Sequence, residues 1–291
     1  ETGKSWGWSD VADLNYDNKE LRKEMTSDML HWVKNENIDG FRCDVASNVP
    51  LDFWQQAISQ LRKEKNIFML AEAWEPELLK DGLFDMAYGW EAHHTMNRIA
   101  QGKNTVKDWD KLILDNQKKY NTNDILMNFV DNHDENSWNG TTKSRLAKAE
   151  EAMTVLSYVM PGMPLIYSGN EYGLNHSLKF FEKDSIPKTK GAAWELRRKL
   201  GKLKTENSAL NGGKKSASYK KIATPNDTEI LAFEREKNGE KIIYIANLSD
   251  KTISTSLPIN GEFEDFITGK KIIFDAKLNT QLQPWQYYIL N

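Results

Sequence analysis

The chain has 291 residues, with 39 basic and 42 acidic side chains and a net charge of −3. Near-balanced charge excludes the basic footprint of a general nucleic-acid binder. No apolar run approaches the roughly 20 residues of a membrane helix, and a single cysteine excludes intrachain disulfides and cysteine-based zinc sites.

Hydrophobic periodicity gives the elements in chain order. Asn18 to Asn37 reads as an amphipathic helix with Leu21, Met25, Met29 and Trp32 on one face. Ile38 to Val45 is a buried strand. Pro50 opens a second helix with Phe53, Trp54, Ala57, Ile58 and Leu61 on one face. Ile67 to Ala71 and Phe84 to Ala87 are strands, Val106 to Tyr120 is a helix, and Ile125 to Val130 is a strand. Ala147 to Met160 is a helix stopped by Pro161-Gly162. Pro164 to Tyr167 is a strand and Trp194 to Leu203 a helix. Such alternation predicts parallel strands with helical crossovers. Beyond Leu210 the texture changes to short β runs: Ile230–Phe233, Ile242–Ala246, Ile253–Leu257, Lys271–Phe274 and Tyr287–Leu290. Turns such as Asn238-Gly239 and Asn260-Gly261 separate several of them. That pattern predicts a small antiparallel sandwich.

The first strand is the most informative. Gly40, Arg42 and Asp44 share one face, and Phe41, Cys43 and Val45 the other. In a barrel the first set points inward, with Asp44 near the C-terminal strand end where barrel active sites sit. Arg42 favours the ionised form of Asp44, and a buried, positioned carboxylate is what a nucleophile needs; the alternative is an Arg–Asp pair with no catalytic task. Glu72 ends the next apolar run, and Trp74 stands on its face, where desolvation would keep the carboxyl protonated for general acid work. Its alternative is a capping or loop carboxylate. Phe129-Val130-Asp131-Asn132-His133-Asp134 offers donors and acceptors for several hydroxyls, or is a polar turn. Two carboxyls about 5 Å apart across a sugar linkage are the requirement of retaining glycoside hydrolysis. Ten Trp and ten Tyr supply either core bulk or faces on which sugar rings stack.

These stretches, Gly40-Phe41-Arg42-Cys43-Asp44, Ala71-Glu72-Ala73-Trp74 and Phe129 to Asp134, resemble three ordered signature regions of the alpha-amylase family of glycoside hydrolases. Gly162 to Glu171 resembles the family's last barrel strand. Asp13-Leu14-Asn15-Tyr16 resembles the segment that re-enters the barrel after an inserted domain. The resemblance implies a (β/α)8 TIM barrel followed by an antiparallel β-sandwich. Residues 1–209 would be a partial catalytic barrel, strands four to eight, and residues 210–291 the C-terminal domain. It implies Asp44 as nucleophile, Glu72 as general acid and then base, and Asp134 as the third carboxylate. Arg42 would orient Asp44, while His133, Asn132 and Trp74 would contact the sugar. The substrate implied is an α-glucan or maltooligosaccharide, with no organic cofactor. Calcium is an implied ion, with Asp13 a candidate ligand by position. Secretion or a periplasmic location follows by analogy with polymer-degrading members.

Departures from the pattern are specific. The family's first signature region, on the third barrel strand, has no counterpart, and Ser47-Asn48 stands where many members carry Lys-His. The chain begins at Glu1 rather than Met, and with the first three barrel strands absent the expectation is the C-terminal part of a longer enzyme, or a chain whose missing part is supplied separately. Transglycosylation or exo-acting α-glucosidase chemistry are alternatives on the same triad. An inactive fragment or a non-catalytic glucan-binding relative is the further alternative. Thr2-Gly3-Lys4-Ser5 lacks the first glycine of a phosphate loop and is set aside. Trp6 and Trp8 are candidate sugar contacts or core. His93 and His94, adjacent on a helix, face different ways and do not share an ion. Cys43 is expected to pack as a small hydrophobe.

Overall fold

Strand and helix alternate through the first two thirds of the chain in a computed structural model that describes Gly7 and residues 11–291. Trp6, Trp8 and Thr2 to Ser5 lie outside the described residues. The chain divides into two compact units, Glu1–Asp85 and Met86–Asn291.

In the first unit, Asn18 caps helix α1 (Lys19–Asn35), its side chain accepting from the Glu20 and Leu21 N–H groups. The buried stripe of α1 passes through Thr26 and Val33. It is one residue out of phase with the predicted face, so Trp32 stands exposed. Strand β1 (Gly40–Cys43) is shorter than the predicted strand and pairs in parallel with β2 (Phe68–Ala71), Gly40 opposite Phe68 and Cys43 opposite Ala71. Gly40 is required here: its φ is +156°, and a Cβ would meet the Phe68 carbonyl oxygen at 1.8 Å. Helix α2 (Leu51–Glu64) connects the two strands, starts after Pro50, whose carbonyl accepts from the Phe53 and Trp54 N–H groups, and buries all five predicted face residues. Their burial is the main local gain, about 1.5–3 kcal/mol for each large apolar side chain. Cys43 is buried as expected, and burial pushes its thiol up to about 12 against the opposing charge of Arg42.

The second unit begins with β3 (Met86–Tyr88), parallel to β4 (Ile125–Asn128), which is parallel to β5 (Met163–Pro164). Helices α3 (Trp90–Ala100) and α4 (Val106–Lys119) join β3 to β4. A capping box at Thr105 and Asp108 starts α4. The short helices α5 (His133–Trp138) and α6 (Thr142–Leu146) precede α7 (Glu150–Val159), which is buried from Ala152 to its end. β5 ends sooner than predicted because the Tyr167 N–H and C=O both bond to Asn170 in a local turn. Helix α8 (Ala192–Glu206) follows.

The antiparallel part comprises β6 (Lys220–Lys221), β7 (Ile230–Lys237), β8 (Glu240–Asn247), β9 (Ile253–Ser256), β10 (Gly261–Asp265), β11 (Lys270–Phe274), β12 (Asn279–Leu282) and β13 (Tyr287–Leu290). Six strands form one sheet in the order β11-β10-β13-β8-β7-β6, and β12 pairs with β9. Asn238 and Gly239, both at positive φ, make the two-residue turn between β7 and β8. These central strands bury both faces. Leu231, Phe233, Ile242 and Tyr244 pack into one core with α7 and α8 residues such as Met153, Leu156 and Leu200. Their neighbours Ile230, Ala232, Ile243 and Ile245 pack with Leu257 and Leu282 into another. Arg235 of β7 is fully buried and donates to the carbonyls of Val159, Asn211, Ala217 and Ser218. Burial holds its guanidinium down at about 10. Among the described residues no helix is long and apolar enough to cross a membrane.

Candidate active site

The first unit brings Arg42, Asp44 and Glu72 together at the C-terminal ends of β1 and β2. The Arg42 guanidinium bridges both carboxyls: Nη1 bonds Asp44 Oδ1, and Nη2 lies 3.1 Å from Glu72 Oε1. The Val45 N–H donates to the other Glu72 oxygen, Oε2, at 2.8 Å. Val45 holds φ +41°, ψ +47°, a left-handed conformation that is a strained outlier for a β-branched residue. That turn aims its N–H at Glu72 and takes the chain off the strand one residue after Asp44. Strain of this kind concentrates at functional sites, and the sequence pattern carries no sign of it.

The two carboxyls differ in surroundings. The Glu72 side chain is 15% exposed, and burial raises its pKa above the ordinary glutamate value. The Val45 N–H and Arg42 oppose that rise, while the adjacent Asp44 carboxyl adds to it. Asp44, expected to be buried, is instead 73% exposed at its side chain. It lies past the last ladder pair, Cys43 with Ala71, so the strands no longer flank it. Trp74 is 44% exposed, and its backbone N–H donates to Glu75 Oε2.

In the second unit, β4 stops at Asn128, and Asn132 is the N-cap of α5, its Oδ1 accepting from the Glu135 N–H at 2.8 Å. The predicted sugar contact Asn132 is buried, with its Oδ1 engaged in capping. His133 and Asp134 open the helix, with His133 Nε2 3.4 Å from Asp134 Oδ2 and both side chains more than a third accessible or close to it.

Beneath them lies a network that the sequence reading did not identify. Asp131 is buried and accepts from Arg145 Nη2 at 2.7 Å, Asn136 Nδ2 at 3.3 Å and Asn170 Nδ2 at 3.5 Å. Burial pushes its carboxyl up, and Arg145 opposes that. Glu135 faces buried His93, with Oε2 3.0 Å from Nε2, and accepts from Asn139. Burial alone would raise its pKa, but the His93 hydrogen bond and charge outweigh it and bring Glu135 down to about 2. A carboxyl depressed in the folded state stabilises above its unfolded pKa, and that stability is lost as pH falls through the folded value. The wild type is therefore expected to out-melt Glu135→Gln at neutral pH, with the gap closing as pH falls towards about 2. Thermal melts of both proteins across that range check it. As expected from their adjacency, His93 is buried and His94 exposed.

Asp13 stands exposed, and among the described residues no group of three or more His, Cys, Asp or Glu side chains could hold a metal ion.

A parallel α/β core with carboxylates at its strand ends, followed by an antiparallel domain, defines a class. Residues 6–229 match the model of the alpha amylase catalytic domain, and residues 221–289 match the maltogenic amylase C-terminal domain. The chain belongs to the alpha-amylase family. It is 21% identical to alpha-amylase MalA of Haloarcula japonica over 90% of this chain and 39% of that protein. It is 24% identical to alpha-amylase 2 of Dictyoglomus thermophilum over 94% of this chain and 50% of that protein. The chain thus spans at most half the length of these two relatives. The fold is similar to that of the maltogenic alpha-amylase AmyB from Thermotoga neapolitana, with a TM-score of 0.84 and 23% identity over 97% of this chain and 68% of that one.

Proposed function

We propose that this chain carries the machinery for hydrolysing α-glucosidic linkages in α-glucans or maltooligosaccharides with retention of anomeric configuration. In this reading β1 to β5 are strands four to eight of an eight-stranded barrel. The first three strands are supplied by a further part of the same enzyme. The catalytic part is residues 1–209 and the β domain residues 210–291. The observation that carries the proposal is Arg42 bridging Asp44 and Glu72, one carboxyl exposed and the other desolvated. Environments that differ in this way separate a nucleophile from a general acid.

Asp44 Oδ attacks the anomeric carbon as Glu72 donates its proton to the departing glycosidic oxygen, leaving a covalent glycosyl ester. Glu72, now a carboxylate, takes a proton from water, whose oxygen attacks the same carbon and releases Asp44. Asp134 and His133 hold hydroxyls of the sugar being cleaved, with Asn132 and Trp74 as further contacts. A sugar hydroxyl in place of water gives transglycosylation, and loops beyond the cleaved sugar decide exo- or endo-action. Product analysis on a long linear glucan separates these. No step passes through a metal. Calcium at Asp13 is a separate expectation, read by titrating Ca²⁺ against the melting temperature. Export to the periplasm or medium belongs to the same proposal.

The test follows the anomer of the newly formed reducing end by NMR on maltooligosaccharide. Retention gives the α-anomer first; β-anomer first sinks the mechanism. Glu72→Gln is expected to reduce turnover about a hundredfold or more. Unchanged turnover in that variant would remove Glu72 from the acid's role, and no turnover in the wild type would favour the non-catalytic reading. Because Glu72 must be protonated to act as acid and burial raises its pKa, kcat/KM should decline as pH rises through a value above the ordinary ~4.3. A decline centred at or below that value would contradict the assignment.

A further inference from the structure

Helix α5 carries His133 and Asp134 on its first turn, yet no apolar side chain anchors it. Its six residues include one apolar side chain, Trp138, and that is 61% exposed. A helix this short does not hold itself in water. The side chains it buries are polar: Glu135 and Asn136 within the helix and Asn132 at its cap. The direction in which α5 presents His133 and Asp134 is therefore set by the partners of those buried groups.

Asn132 acts within the turn, and Asn136 reaches Asp131 and the loop at His176 and Leu178. Glu135 reaches down to His93 of α3. His93 is 1% exposed, and its helix is seated in the core through Ala92, Met96 and Ile99. The imidazole Nε2 lies 3.0 Å from Glu135 Oε2, and Nδ1 lies 3.1 Å from the Phe129 carbonyl oxygen. The ring stacks on Phe129 with centroids 4.6 Å apart and planes 16° from parallel. Asn97 Nδ2, 3.2 Å from the same Nε2, donates to the His93 carbonyl at 2.9 Å.

Phe129 is the first residue past β4, and Glu135 lies in the first turn of α5. One imidazole thus pins both ends of the segment that holds Asn132, His133 and Asp134. Arg145 braces its middle, donating to the Val130 carbonyl at 3.0 Å and to Asp131 Oδ1 at 2.7 Å. A rigid ring bonded at both nitrogens fixes the separation of its two partners, which two independent side chains would not. We infer that His93 is a positioning residue: it holds the end of β4 and the start of α5 at the separation that orients His133 and Asp134 for the sugar being cleaved. This role rests on the proposed glycosidic hydrolysis and gives α3 a part in it. Buried as it is, the His93 ring itself is out of a substrate's reach and acts through the segment it pins.

Three substitutions separate positioning from packing. His93→Gln puts an amide donor where Nε2 stood, His93→Asn puts one where Nδ1 stood, and His93→Phe keeps a ring with neither donor. Each is assayed in the full-length enzyme that carries this chain, on an aryl maltooligoside whose leaving group departs readily, so that slow variants stay measurable. His93→Phe should lose about tenfold or more in kcat with little change in KM, because contacts made in the transition state are misdirected. His93→Gln keeps the link to Glu135 and should retain more of the rate than His93→Asn or His93→Phe. A packing role reverses that order, since Phe preserves the ring best, and overturns the inference. On an Asp134→Asn background His93→Phe should cost less than about twofold, the carboxylate it orients being already gone. Losses that multiply in full, as partial unfolding would give, overturn the inference, and so does an unchanged kcat in His93→Phe. If His93→Phe does not fold, His93→Asn takes its place in the same cycle. A wild-type enzyme that turns over no substrate removes the proposed function itself, and with it any reaction for His93 to serve.

Discussion

Asp44→Asn is expected to reduce hydrolysis of maltooligosaccharides by at least about a thousandfold, the scale seen when a nucleophile acting within a concerted group is lost. The amide has almost the shape of the carboxylate but cannot form the glycosyl ester. At a side chain 73% exposed, such a change should alter stability by less than about 0.5 kcal/mol. The decisive pattern is therefore a lost rate with an unchanged unfolding curve, read by reducing-end assay and urea titration. A variant that keeps a tenth of the activity would remove Asp44 from the nucleophile's role. If the rate is lost and the melt also collapses, Arg42 has lost a structural partner and the assignment needs Asp44→Ala with external azide as rescuing nucleophile.

The largest effect on stability is expected from Arg145→Met. Arg145 donates to the Val130 and Gly140 carbonyls, to Asn97 Oδ1 and to Asp131 Oδ1, all at 2.7–3.0 Å. Its removal strands the Asp131 carboxyl, 1% exposed, without its countercharge. Breaking one side of a buried pair costs about 3–5 kcal/mol, most of it from the charge left behind. Asp131→Asn placed on top of Arg145→Met should therefore recover part of the loss, since the stranded group is then neutral. Urea unfolding of the four proteins of this cycle gives the coupling directly. Equal losses in the single and double variants would show that Arg145 acts through its Val130, Gly140 and Asn97 contacts alone.

Much of the fold is legible in the pattern. All five face residues of α2 were readable because an i, i+3, i+4 stripe is the strongest periodic signal a sequence carries. Asn238-Gly239 was legible because only such residues accept two successive left-handed positions. Strands β10 and β12 were missed because Gly-Glu-Phe-Glu-Asp and Asn-Thr-Gln-Leu are mostly polar and take their order from pairing partners. Helix α5 was missed because it is six residues of polar composition whose start is set by the Asn132 cap.

The site shows the same division. Residue types at strand ends pointed to Asp44, Glu72 and the run through Asp134. Partner choice was not legible: Arg42 reaches Glu72 as well as Asp44 only because β1 and β2 are in register. Val45 gives no sequence signal of its left-handed turn, and the capping role of Asn132 was not legible because capping and ligand binding use the same amide. Arg145 lies 14 residues from Asp131, and no local pattern predicts their meeting.

The sheet face formed by Leu231, Phe233, Ile242 and Tyr244 is shared with α7 and α8 rather than sealed within the β domain. Interchange of parts between relatives is constrained accordingly. A chimera joined near residue 210 would set one parent's helices against another parent's strands, with mismatched knobs and the Val159 carbonyl that Arg235 serves taken from a stranger. Compatible exchanges would carry α7, α8, β7 and β8 as one inherited block, so crossovers that survive should fall upstream of Glu150 or within the outer strands.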